Sequence, residues 1–262
     1  MKKYFLPIAL ILLLAGSASY AWMGAGQMAG SVPAAGASYA CDVSTADICE
    51  DWEPETLTWT DVTTGGTITD NASHSGTLSC TDKGSAALQI EYTSQADLYT
   101  RIDLGSQQNV VYGRIYFIIV DRPNAVNGTA QAILCGGNTT DGTIAGIRVI
   151  TREYASEQLQ VQVTYNNGTV FAAGYQNISE DTWYMVSFLY SSDGVADDAD
   201  DTVTWWLDGT QIDTVTNANL TLTQRPRYFT VSNSAEVAGS VGVVFQVDNL
   251  ELDYTEMPAA CP

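Results

Sequence analysis

Two adjacent tryptophans, Trp205 and Trp206, stand in a run in which Val203, Trp205 and Leu207 alternate with Thr204, Trp206 and Asp208. In an extended chain successive side chains point to opposite faces, so one indole belongs in a core. Trp206, whose neighbours of like parity are polar, then lies where a sugar ring can stack on it. Arg114 and Tyr116, then Arg148 and Arg152, then Gln158, Gln160 and Gln162 supply guanidinium forks, a phenol and amides on other runs of the chain. Such groups offer the directional donors that hydroxyl-rich or carboxylate-bearing ligands require. A different chemistry is suggested by residues 192–201, which crowd Asp193, Asp197, Asp198, Asp200 and Asp201 together. Calcium takes about six to eight hard oxygens, and this stretch could supply several, although its spacing departs from an EF-hand and no Glu closes it. The alternative is a solvated acidic loop that blocks edge pairing.

Catalytic constellations are scarce. His74 is the one histidine, in the polar string Asp70-Asn-Ala-Ser-His-Ser-Gly, and reads as a surface residue; Ser73 and Ser75 beside it make no triad. No G-x-S-x-G elbow occurs, and a single histidine rules out His-rich metal centres. Glycoside hydrolysis needs two carboxylates flanking the scissile bond; the nearest acidic strand pairs Glu251 with Asp253 on one face.

These side chains need strands to hold them. Val111, Ile115, Phe117 and Ile119 share one parity against Tyr112, Arg114, Tyr116 and Ile118, and Leu159, Val161, Val163 and Tyr165 alternate with Gln158, Gln160, Gln162 and Thr164. Such alternation marks half-buried strands. Residues 86–92, 130–134, 144–152, 182–190, 202–207, 227–232 and 241–254 have strand composition, and no stretch of helical period occurs beyond residue 48. Asn167-Gly168 and Asp208-Gly209 are hairpin signals, and Asn127-Gly128 and Asp141-Gly142 mark turns in longer loops. The sum predicts an all-β fold of about ten to twelve antiparallel strands, a β-sandwich or jelly roll.

The ordered series Cys49-Glu-Asp-Trp-Glu, Gly113-Arg-Ile-Tyr-Phe, Asp181-Thr-Trp-Tyr-Met-Val, Thr204-Trp-Trp-Leu-Asp-Gly and Gln246-Val-Asp-Asn-Leu-Glu-Leu resembles concanavalin A-like lectin/glucanase domains, including their laminin-G-like branch. The resemblance spans about residues 48–254. It implies two curved antiparallel sheets, one face of which often binds glycans and in some members cleaves them. The Glu-x-Asp-x-Glu string of the glucanases is missing, and the resemblance does not extend to the strand motifs of alginate-lyase-like members. In the laminin-G-like branch, an acidic pair like that on the closing strand is usually structural.

Lys2 and Lys3, the apolar run 5–15 and the small residues up to Ala21 read as a secretory signal peptide, 1–21, of bacterial type, too short to span a bilayer. Residues 22–47 are rich in Gly, Ala, Ser and Met and read as a flexible segment, 48–256 as one sandwich domain and 257–262 as a tail. The full chain has 262 residues, 10 Lys or Arg against 30 Asp or Glu, and a formal net charge of -20. Such a charge repels nucleic acid and anionic membrane surfaces. Export permits disulfides, and with five cysteines one is left over; a pairing of Cys41 or Cys49 with Cys261 would join the two ends of the domain.

The sequence therefore predicts a secreted, periplasmic or cell-surface protein that binds a polysaccharide or other glycan, using Trp206, Arg114, Tyr116, Arg148, Gln160 and Gln162, with calcium at the five aspartates and no catalytic residue. One alternative is a structural or adhesive subunit, a homo-oligomer joined through the N-terminal segment or the odd cysteine. Another is a polysaccharide lyase, with Tyr116, Arg114 and His74 as its trial residues.

Overall fold

The computed structural model describes residues 46–52, 59–75, 86–94, 96–122, 130–138, 140, 145–154, 158–166, 170–193, 201–216, 225–234 and 241–256. They form strands β1 (Ile48–Glu50), β2 (Thr60–Thr63), β3 (Gly66–Ser73), β4 (Ala86–Tyr92), β5 (Asp97–Asp103), β6 (Val110–Asp121), β7 (Ala130–Gly137) and β8 (Ala145–Tyr154). The chain continues through β9 (Gln158–Asn166), β10 (Val170–Asn177), β11 (Tyr184–Ser191), β12 (Thr202–Leu207), β13 (Thr210–Thr216), β14 (Tyr228–Ser234) and β15 (Val244–Asp253). The described strands number fifteen, more than the ten to twelve expected, and every pairing is antiparallel.

Two sheets result. The first runs β13-β12-β11-β6-β15-β4-β3, with β1 also on β15; the second runs β10-β9-β8-β7-β14-β5-β2. Their facing sides share one core: Val111, Ile115, Phe117 and Ile119 from β6, Trp205 from β12 and Phe245 from β15 meet Val149, Val161, Val163 and Phe229 of the other sheet. Trp205 is fully buried and Trp206 only partly so, as period-two alternation requires.

Two glycines let the sheets close. Gly113 is paired with Phe188 on β11, and Gly136 with Phe229 on β14. A Cβ on Gly113 would stand 2.1 Å from the Phe188 ring, and one on Gly136 would stand 2.6 Å from the Phe229 ring. Each ring thus lies over a neighbour that has no side chain, and the two rings stack across the core with centroids 6.1 Å apart. At the β12–β13 hairpin, Asp208 (φ 48°) and Gly209 (φ 77°) both take the positive φ of a two-residue turn. Asn167-Gly168, Asn127-Gly128 and Asp141-Gly142 lie outside the described residues.

The ends of the fold are tied together. Trp52 N–H donates to Glu50 Oε1 at 2.9 Å, Trp59 Nε1–H donates to Glu50 Oε2 at 2.7 Å, and Tyr254 N–H donates to Asp47 Oδ2 at 2.9 Å. Cys49 is disulfide-bonded, and Cys135 is a buried thiol. The other cysteines lie outside the described residues, as do residues 1–45 and 257–262. No helix among the described residues is long and apolar enough to cross a membrane.

Candidate functional site

The six predicted ligand-binding residues divide between the outer faces of the two sheets, on opposite sides of the sandwich. On the first sheet, register places Trp206, Ser187, Arg114 and Glu251 in one row and Met185, Tyr116 and Asp248 in the next. Arg114 Nη2 forms an ion pair with Glu251, and both side chains are buried. Tyr116 packs with Ala87, Ile118 and Trp183. Burial pushes its phenol up to about 12, with Arg114 opposing and the carboxylates of Glu251, Asp208 and Asp248 reinforcing the shift.

His74 also departs from the surface position expected of it, because its side chain is only 14% exposed. Its Nε2 faces the Ala86 carbonyl at 2.9 Å and Asp248 Oδ2 at 3.0 Å, both acceptors, so Nε2 carries the proton. The imidazole sits edge-on to Trp183, whose Nε1–H donates to the Ser75 carbonyl at 2.7 Å. Gln246 binds the same segment, accepting from Ser75 N–H at 2.7 Å and donating to the Ser73 carbonyl at 2.9 Å. The structure therefore brings the three lyase trial residues onto one face, where Arg114 and His74 are turned to the carboxylates of Glu251 and Asp248 and Tyr116 is packed under Trp183, which is the arrangement of a packed internal network.

The outer face of the second sheet is covered to a similar degree at its centre, where Gln160, Gln162, Thr164, Thr230 and Cys135 are buried, while Arg101, Arg148 and Arg152 are half-buried and Asn177 is exposed. Ile147, Val149, Leu159, Val161 and Val163 point into the core, which sends Arg148, Ile150, Arg152, Gln160, Gln162 and Thr164 outward. Three rows follow from the register. Arg101, Thr230, Cys135, Arg148 and Thr164 run across β5, β14, β7, β8 and β9. Beside them lie Ala132, Ile150 and Gln162, and then Ala130, Arg152, Gln160 and Asn177. Gln160 Nε2–H donates to Asn177 Oδ1 at 3.2 Å. Three of the ten basic residues of a strongly acidic chain thus share one face with a row of amides.

The edge of that face was not legible as a site. In β10 the register slips between Ala173 and Gln176, leaving Gly174 and Tyr175 opposite Gln162. Gly174 takes φ 68°, and a Cβ there would also touch Asp213 of β13, so the bulge needs glycine. Tyr175, the one exposed large hydrophobic among the described residues at 57%, stands in the bulge. At the other end, Arg101 donates to the Thr140 carbonyl at 2.7 Å and lies over the Tyr228 ring, which Arg227 also covers. Arg227 is fixed in turn by Asp103, and its hydrogen bonds lower that carboxyl from its usual value.

Of the five aspartates expected to hold calcium, Asp197, Asp198 and Asp200 lie outside the described residues. Asp193 is exposed and Asp201 is buried. No group of three or more His, Cys, Asp or Glu placed to hold a metal occurs among the described residues.

Architecturally the chain is a jelly-roll β-sandwich, consistent with the concanavalin A-like resemblance. No family model matches the chain, and no curated protein does. Among solved structures it is similar to an endo-beta-1,4-glucuronan lyase from the fungus Trichoderma reesei, at 14% identity and a TM-score of 0.55, covering 80% of this chain and 96% of that one. It is also similar to a conserved carbohydrate esterase from the Shiga toxin-encoding bacteriophage phi24B (13%, TM-score 0.53, 81% and 100% covered). The binding domain of botulinum neurotoxin serotype D matches at 6% with a TM-score of 0.53; there the match covers 81% of this chain and 48% of the other. At such identities the likeness is one of fold.

Proposed function

We propose that this chain is an exported protein that binds an acidic polysaccharide across the outer face of its second sheet. The observation that carries the reading is the placement of the half-buried Arg101, Arg148 and Arg152 and the exposed Asn177 on one face of a molecule whose net charge is -20, with the buried amides of Gln160 and Gln162 beneath them. Guanidinium forks match carboxylates, and the exposed amide of Asn177 matches a ring hydroxyl. The named activities of the glucuronan lyase and the phage esterase, both on carbohydrates, agree with this reading. The test is native affinity electrophoresis through neutral, sulfated and uronate polysaccharides. Retardation is expected in a uronate gel, and Arg148→Ala should weaken it roughly tenfold to a hundredfold, the worth of a charge-assisted hydrogen bond. Equal retardation of wild type and variant would remove Arg148 from the site.

A second reading, elimination rather than binding alone, is favoured by Tyr175, whose exposed phenol stands opposite Gln162 on that same face. In a polysaccharide lyase a base takes the proton next to the uronate carboxylate while cations and amides hold the enolate that forms. The C4–O bond then breaks, the departing oxygen takes up a proton to leave as the hydroxyl of the shortened chain, and a double bond forms between C4 and C5. Tyr175→Phe should abolish any rise in ultraviolet absorbance from unsaturated product while leaving retardation intact. A polymer that is retained but never cleaved by the wild type would leave binding alone.

A further inference from the structure

Beside the arginine and amide face, where β9 and β10 meet the chain leaving β6, lies a pocket of about 330 Å3, near the low end of the roughly 300–1,000 Å3 of small-molecule sites. Leu159 and Ile178, both nearly buried in the core, show only their edges at its base, and Gln158, Asn177, Arg122 and Glu180 supply polar walls. The lining is fixed by the backbone: Ile178 N–H donates to the Leu159 carbonyl at 2.9 Å, and Asp181 N–H donates to the Ile119 carbonyl at 3.0 Å. Ser179 N–H donates to Tyr184 Oη at 2.9 Å. Arg122 and Glu180 are ion-paired across the pocket wall.

A narrow apolar strip ringed by donors and acceptors suits a pyranose, which presents a few C–H groups on its faces and many hydroxyls at its edge. Charge then narrows the choice. The Arg148 and Arg152 face is cationic, whereas among the described residues of the pocket the one cation, Arg122, is matched by the Glu180 carboxylate, which is 41% exposed and would repel a second. Asn177 belongs to both places, accepting from Gln160 on the face and lining the pocket. The exposed Asn177, next to Gln160 and Arg152 in the register, therefore joins the edge of that face to the pocket.

We infer that this pocket is a subsite for one uncharged pyranose, the end unit of a glycan whose acidic part lies on the arginine face. The polymer's direction rests on the binding proposed above; the pocket's own ligand does not. The experiment is a titration of the full chain, labelled with 15N, with glucose, galactose, mannose, xylose and glucuronic acid in turn, reading the side-chain amides of Gln158 and Asn177. At least one neutral sugar should give a saturating shift at millimolar concentration, and glucuronic acid should give none. Asn177→Ala should weaken the neutral response at least tenfold. Glu180→Gln, at an exposed position, should admit glucuronic acid by freeing the charge of Arg122. No saturating shift with any neutral sugar, or an equal response to glucuronic acid in the wild type, would overturn the inference. Retardation by a uronate gel without any sugar shift would sink the pocket alone, and a sugar shift without retardation would sink the face alone.

Discussion

Tyr116 shows how the same residue type serves two ends in this fold. Its neighbours in the sequence mark it as an outward residue of β6, and it does point away from the central core, yet Trp183 and Ala87 cover it. A phenol that titrates near 10 in an unfolded chain is held up to about 12 here, first by burial, and Tyr254 is raised to the same level by burial and by Asp47 and Asp253. Between about pH 10 and 12 the unfolded chain loses protons that the native chain keeps, so stability is fully present below 10 and falls as pH rises. For Tyr116 the loss is on the order of 2–3 kcal/mol. Urea unfolding midpoints measured across that range should decline for the wild type and decline less steeply for Tyr116→Phe. Parallel declines would show that the phenol is not kept neutral by the fold. The cover itself was not legible: Trp183 and His74 reach this face from segments far apart in the sequence, and local alternation carries no information about what another segment lays on top.

At the scale of strands, alternation was a reliable guide where one side of a strand meets the core. The run 86–92 is β4 and the run 202–207 is β12, residue for residue, and the tryptophan pair splits as parity demands. The strands without a clear sequence signal are β1, β2, β3, β5, β10 and β13. Several of them are short or lie at sheet edges, where exposed threonines and aspartates replace the apolar half of the pattern; β13, Thr-Gln-Ile-Asp-Thr-Val-Thr, is an example. Half of the amide face could be read because Gln158, Gln160 and Gln162 alternate with core residues. Tyr175 and Asn177 could not, because the bulge at Gly174 breaks the period. The glycine–phenylalanine pairs are a similar long-range feature: nothing near Gly113 in the sequence announces Phe188. Adding one methyl at Gly113 should force the Phe188 ring out of its stack with Phe229 and destabilise by about 1–3 kcal/mol, the cost of overpacking a filled core. The check is chemical denaturation of Gly113→Ala, Phe188→Leu and the double variant. The double should be less destabilised than the two singles added together, because the smaller side chain vacates the clash. Strict additivity would mean that the ring and the glycine do not share the space.

For the whole molecule, the acidic surface and the proposed acidic ligand pull in opposite directions. A net charge of -20 repels a polyanion over distances set by the Debye length, about 10 Å at 0.1 M salt. The guanidinium contacts of Arg101, Arg148 and Arg152 would act at hydrogen-bond range, well inside that length, so modest salt screens the repulsion more than the attraction. Affinity for a uronate polymer should therefore rise from very low ionic strength to a maximum near physiological salt and fall beyond it, when the short-range contacts are also weakened. A basic protein with the same local site would show only the falling limb. Calorimetric titration across a salt series distinguishes the two shapes. A monotonic fall from the lowest salt would show that the local cations outweigh the field of the rest of the molecule. A monotonic rise would show that charge contacts contribute little and that the face binds through Asn177 and Tyr175. A maximum would account for an acidic protein that keeps three arginines on one sheet: the surface charge keeps the molecule soluble, and the arginine face takes the polymer once salt has screened that charge.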